Sequence, residues 1–144
     1  MGILPDEIKP AMQGVIPSHV VTCSRDGTPN ASAISQVYYV SPDSVALSHQ
    51  FFNKTKRNIE ENPRAAAWVI SPETFEAWDL ELEFMRSETS GPIFDVMEMQ
   101  IEAIASMVGM KGIFKLRAAD IFRVTAVTKA VGERIPLAEI AGSR

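Results

Sequence analysis

Between residues 75 and 86 apolar and charged positions alternate. Trp78, Leu80, Leu82 and Phe84 fall on one face, and Asp79, Glu81 and Glu83 on the other. A period of two is what a strand with one buried and one wet face requires, so this run predicts a long β-strand. A different period governs residues 93–108. There Ile93, Val96, Met97, Ile101, Ile104, Ala105 and Val108 recur three and four apart, the apolar stripe of a helix. Pro92 suits its first position, and Gly109 and Gly112 suit its end.

The remaining apolar runs are shorter. Residues 19–24 and 45–49 are rich in β-formers. Asp26-Gly27 follows the first of them and is a strong hairpin signal. A second strand is expected over 31–40, with Ile34, Gln36 and Tyr38 alternating against Ser35, Val37 and Tyr39. Ser41-Pro42-Asp43-Ser44 reads as the turn to the third, so these three strands are expected to form an antiparallel meander. Residues 65–70, bracketed by Pro63 and Pro72, suggest a buried strand, and residues 114–128 a last one with its core at 120–124. Short helices are expected over 5–13, where Asp6 and Glu7 suit the start, and over 53–61, closed by Asn62-Pro63. The expected fold class is α+β, mainly β: a six-stranded antiparallel barrel with short helices and one longer helix before the last strand, in a single domain spanning 1–144. A doubly wound α/β fold would need helices between most strands, and the pattern has none there.

Composition changes this picture little. The chain is 46% hydrophobic and 22% charged, which is ordinary for a globular domain of 144 residues. Cys23 is its one cysteine, so no intrachain disulfide can form, in keeping with a reducing compartment. No run approaches the ~20 apolar residues of a membrane span, and no signal-peptide pattern is present, so a cytoplasmic location is expected. A formal net charge of -4 argues against a nucleic-acid partner, which would call for a basic face.

The charge is, however, unevenly placed. Lys54, Lys56 and Arg57 crowd the start of the helix expected at 53–61, and Glu60 and Glu61 its end. This is the reverse of what the helix dipole favours, and each misplacement costs roughly 0.3–1 kcal/mol at an exposed site. A bound anion at the N-terminus would reverse the sign for the basic half, with Asn53, Lys54 and Thr55 converging on one phosphate. An ordinary solvated helix capped by Asn53 accounts for the same residues. The adjoining Phe51-Phe52 suits either the core or a planar ring. His19 and His49 are the only histidines, and no HExxH, CxxC, G-x-S-x-G, G-x-G-x-x-G or P-loop spacing occurs. No metal site and no catalytic side chain are therefore indicated. Asp79, Glu81 and Glu83 read as a solvated sheet face.

In order along the chain, several segments resemble one family. They are the Asp26-Gly27-x-Pro29-Asn30 turn, the run Ser32 to Val40, the strand ending Ser48-His49, Asn53-Lys54-Thr55, and Asn58-Ile59-Glu60-Glu61-Asn62-Pro63-Arg64. Together they are similar to the pyridoxamine 5'-phosphate oxidase-like FMN-binding split barrels, over about residues 16–127. The resemblance implies a homodimer with FMN near the subunit interface. It implies that Asn53, Lys54 and Thr55 bind the flavin phosphate, with Lys56 or Arg57 supplying further charge. It lays Ile34, Ser35, Gln36 and Val37 along the isoalloxazine ring, and sets Ser48 and His49 against the ring or ribityl chain, largely through backbone. True pyridoxamine phosphate oxidases hold substrate with a C-terminal Trp and basic residues, whereas no tryptophan follows Trp78 here. Some split barrels hold haem or a deazaflavin instead; the basic turn favours a phosphorylated flavin. The expected function is an FMN-dependent oxidoreductase of unspecified substrate, with a flavin-binding sensor or carrier as the alternative.

Overall fold

In a computed structural model that describes residues 3–12, 15–50, 54–113 and 115–130, the period-two run becomes one long strand. It covers Ala77–Glu88, with Trp78, Leu80 and Leu82 buried and Asp79 and Glu81 exposed. In chain order the elements are a 3-10 helix (Asp6–Met12), β1 (Ser18–Cys23), β2 (Pro29–Ile34), β3 (Val37–Ser41), β4 (Ser44–His49), α1 (Lys54–Glu61), β5 (Arg64–Ile70), β6 (Ala77–Glu88), α2 (Pro92–Met107) and β7 (Ala118–Ala130). All ladders are antiparallel, and the sheet runs β2-β1-β5-β6-β7-β4-β3.

Three expectations are corrected. The described residues form seven strands rather than six, and the ladder is open rather than closed. The extra strand arises because the run expected over 31–40 breaks at Ser35-Gln36, giving β2 and β3. Its halves take different partners, β2 pairing with β1 and β3 with β4, so the meander is not formed either. At the break a side chain replaces the ladder: Gln36 N–H donates to Ser48 Oγ at 3.1 Å, while Ser48 N–H donates to Gln36 O at 3.2 Å. The two edges of the sheet are thus consecutive in the chain. Three residue steps from Ile34 to Val37 span at most about 11 Å, so the open sheet must coil until its edges approach.

Phe75 is also displaced from its expected strand. It sits in the turn before β6 with φ 60°, its N–H donating to Ser71 O at 2.9 Å. The Asp-Gly hairpin forms as expected. Gly27 adopts φ 92°, a left-handed conformation that glycine enters without steric cost, and the Asp26 carboxylate accepts from Ser24 Oγ, Thr28 N and Thr28 Oγ1.

One main core fills the concave side of the sheet, with Val20, Ile34, Val37, Val45, Leu47, Val69, Trp78, Leu80, Leu82 and Phe122 buried. The 3-10 helix adds Ile8, Ala11 and Met12 to it, and α1 adds Ile59. These two segments fill opposite ends. Lys9 of the first stacks on Tyr39, whereas Lys56 of α1 reaches Phe84 and Asp120 at the far end of β6 and β7. A second core lies under α2, whose Met97, Ile101 and Ala105, four apart, bury against Ala46, Ala119 and Ile121. The stripe expected for this helix is therefore the face it buries; Val108 caps the end and is exposed.

Candidate functional site

The helix α1 follows β4 closely, and its first turn carries no acidic residue and its last turn no basic one. Asn53, Phe51 and Phe52 lie outside the described residues. The three cations of the helix have different surroundings. Lys54 and Arg57 are exposed and have no partner among the described residues. Lys56 turns inward: its Nζ donates to Asp120 Oδ1 at 2.9 Å and to Ser87 Oγ, and lies 5.2 Å from the centre of the Phe84 ring. Its side chain is only 22% exposed. At the other end of the helix, Glu61 accepts from the Arg25 N–H at 3.2 Å, which ties the β1–β2 hairpin to α1. The acidic end of the helix thus has a structural partner, while two basic residues at its start have none.

Thr55 is buried at 3% exposure and joins the helix to β2. Its hydroxyl accepts from Asn30 Nδ2 at 2.9 Å and lies 3.0 Å from Ser32 Oγ. Asn58, one turn on, donates to Thr22 Oγ1 at 3.1 Å. Thr22 of β1 and Asn30 and Ser32 of β2 are thus the polar residues that seat the helix.

Behind this turn lies the break between β2 and β3. Ile34 and Val37 turn into the main core. Ser35 Oγ donates to Gln50 Oε1 at 3.0 Å, and Gln36 Nε2 donates to Gln100 Oε1 of α2. Ser48 is 1% exposed, and both its hydroxyl and its N–H bond to the Gln36 backbone. The carbonyl of His49 accepts from Arg117 N–H at 2.8 Å. Two atoms of this network, Gln36 Oε1 and Gln50 Nε2, are buried without a hydrogen bond among the described residues. Leaving such groups unpaired costs about 1–3 kcal/mol each, and they are the places where a ligand with a matching donor and acceptor would gain most. Through Gln100 the network reaches a cleft of about 450 Å³ between the 3-10 helix, β3 and α2, floored by Tyr38 and Tyr39.

The structure thus brings Ser35, Gln36 and Ser48 together at one break, and sets Lys54, Thr55 and Arg57 on the neighbouring helix. Sequence reasoning missed Asn30, Ser32, Gln50 and Asp120. Asp120 did leave a signal: it is the one charge in the otherwise apolar run 118–122, and it is 1% exposed. Gln50 left none. Among the described residues no group of His, Cys, Asp and Glu is placed to hold a metal, and no helix is long and apolar enough to cross a membrane.

No protein-family profile and no curated protein sequence matches the chain. Solved structures do match. An FMN-binding protein from Syntrophomonas wolfei subsp. wolfei superposes with a TM-score of 0.71 at 16% identity, over 86% of this chain and 84% of that one. HupZ of Group A Streptococcus gives 0.65 at 16% identity, over 88% and 94%. A putative pyridoxamine 5'-phosphate oxidase from Lactobacillus delbrueckii gives 0.61 at 12% identity, over 89% and 95%. At such identities the likeness establishes the fold. It is that of the pyridoxamine 5'-phosphate oxidase-like split barrels, in keeping with the resemblance that the local segments carry.

Proposed function

We propose that the chain is an FMN-binding flavoprotein, an oxidoreductase that holds the flavin phosphate at the N-terminus of α1 and the ring system along the β2–β3 break. The observation that carries this reading is the pairing of two exposed cations, Lys54 and Arg57, with two buried amide atoms, Gln36 Oε1 and Gln50 Nε2, none of which has a partner among the described residues. A phosphate asks for cations and N–H donors; the pyrimidine edge of a flavin offers an N–H donor beside carbonyl acceptors. The residues present fit both ends of that ligand.

On this reading Asn53, Lys54, Thr55 and Arg57 hold the phosphate. Thr55 also keeps the turn in place through Asn30 and Ser32. Gln36 and Gln50 fix the ring edge, and Ile34, Ser35 and Val37 set the strand against which it lies. Ser48 holds the break open at the right width, and His49 lines the ring or ribityl chain. Bound there, the flavin supplies hydride and electron transfer, and the protein supplies position, exclusion of water and electrostatics.

The proposal includes a homodimer with the flavin near the subunit interface. The outer face of β1 and β5 supports it, since Val21 is 45% exposed there beside the exposed Ala66 and no helix among the described residues covers them. An absorption spectrum of freshly purified protein tests the cofactor. Flavin bands, or quenching of FMN fluorescence on titration into colourless protein, are expected; the absence of both overturns the reading. Bleaching of the bound flavin by NAD(P)H, followed by recovery with an electron acceptor, identifies the oxidoreductase. A bound flavin inert to both identifies a sensor or carrier.

A further inference from the structure

The cleft of about 450 Å³ between the 3-10 helix, β3 and α2 has a size that suits a small organic molecule. β3 ends the sheet, and successive side chains of a strand point to opposite faces. Tyr38 packs against the core under α2, and Tyr39 against the main core beside Lys9 of the 3-10 helix. The cleft crosses the strand between them, so both of the chain's two tyrosines line it. Met12, Ala103 and Ile104 add apolar wall.

The other polar groups that line the cleft favour an acceptor. Lys9 Nζ stands 4.8 Å from the centre of the Tyr39 ring. It donates to Asp6 at 3.1 Å, and an ammonium has three N–H bonds, so two remain. Both partners of that pair are exposed, so an incoming anion competes for it readily. The hydrogen bond to Asp6, then the charge of that carboxylate, hold the Lys9 ammonium above the ordinary lysine value, so it is cationic at neutral pH. Gln100 lines the cleft from α2. Its Oε1 accepts from Gln36 Nε2, and Gln36 is 1% exposed with its backbone held on both sides by Ser48. With its oxygen engaged, Gln100 keeps two amide N–H bonds that have no acceptor among the described residues.

We propose that this cleft is a binding site, separate from the flavin site, for a flat aromatic carboxylate whose ring lies against Tyr38 and Tyr39 and whose carboxylate accepts from Lys9 Nζ and the Gln100 amide. Aromatic rings gain from edge and offset contacts with tyrosine, and charge-assisted hydrogen bonds are about twice as strong as neutral ones. A neutral ring lacks the second contribution and a small anion the first. The inference does not rest on the flavin reading.

Proton NMR of the full chain tests it, with 2-naphthoate, its neutral isostere 2-naphthamide, and acetate as probes. Because the chain has only two tyrosines, a Tyr38→Phe variant assigns their ring resonances, and those resonances report the cleft directly. Naphthoate should shift both tyrosines and bind roughly 10-fold more tightly than naphthamide, and acetate should shift neither. No shift of either tyrosine at millimolar naphthoate, or equal affinity for acid and amide, would overturn the inference. Lys9→Met should remove the preference for the acid while naphthamide still binds, which shows the cleft intact; a preference that survives would overturn the role of the cation. Gln100→Glu keeps the oxygen that Gln36 donates to and replaces the amide N–H bonds by a second carboxylate oxygen. It should abolish naphthoate binding, and unchanged affinity would overturn the amide contact. Excess FMN should leave the naphthoate shifts in place. Displacement by FMN would make the cleft part of the flavin's own site and overturn the inference. If FMN does not bind, the flavin reading fails while the naphthoate result stands.

Discussion

Lys56 Nζ sits 2.9 Å from Asp120 Oδ1, an ion pair that ties α1 to β7. Lys54 and Arg57 share the same helix yet stay exposed. The basic cluster thus divides into one cation that holds the fold together and two that face outward.

That division predicts opposite effects from neighbouring substitutions. Lys56→Ala strips the partner from a carboxylate that is 1% exposed, and such a loss costs about 3 kcal/mol or more. Arg57→Ala removes an exposed side chain with no partner among the described residues and should change stability by no more than about 0.5 kcal/mol. Urea denaturation of the two variants checks this. Equal midpoints would contradict the inward path of Lys56.

Lys54 and Thr55 should also separate. Lys54→Ala should weaken FMN binding by roughly 10-fold or more, since charge-assisted hydrogen bonds contribute about 1.5–3 kcal/mol, and leave the melting temperature unchanged. Thr55→Ala should lower both, because it also unseats Asn30 and Ser32 from the helix. Fluorescence titration beside thermal melts reads the difference. A Lys54→Ala variant that binds FMN as tightly as the parent would remove the phosphate from this turn.

The β1–β2 hairpin carries a pH dependence of known sign. The hydroxyl of Ser24, then the hydroxyl and N–H of Thr28, hold the Asp26 carboxyl below the usual carboxylate range. Its folded value is lower than its unfolded one, so its contribution is fully present above the ordinary carboxylate value of about 3.9 and is lost as pH falls through the folded value. Carbon-13 titration of the Asp26 carboxyl should show a midpoint below that of a free aspartate. Asp26→Asn should flatten the acid limb of the stability curve, and an unaltered limb would count against the hydrogen bonds at this turn.

Most of this fold could be read from periodicity because each element carries one clear pattern. The alternation at Trp78–Asp79–Leu80–Glu81–Leu82 and the four-residue spacing of Met97, Ile101 and Ala105 both name the buried face directly. The break at Ser35-Gln36 was invisible, since Ile34, Gln36 and Tyr38 keep strand-like alternation straight through it. What splits the run is a tertiary partner, Ser48, twelve residues away, and no local pattern encodes that. The candidate site divides along the same line. Lys54, Lys56 and Arg57 showed as a charge anomaly within one helix. Asn30, Ser32, Gln50 and Asp120 became significant only through what they meet across strands. Lys56 and Arg57 were indistinguishable in the sequence as sources of charge, and only the position of Asp120 separates them.

The link from Ile34 to Val37 also has a consequence for how the chain comes together. The β1–β2 hairpin and the β3–β4 hairpin are local and can form early. To place them on the two edges of one sheet, β1 must find β5 some 45 residues away, and β4 must wait for β7, more than 70 residues further along. Pairings of such long range make folding slow, in the millisecond-to-second class. Asp120 arrives on β7, the last strand among the described residues. The cation of Lys56 therefore gains its partner only when β7 joins the sheet, so the ion pair that ties α1 to the sheet closes late.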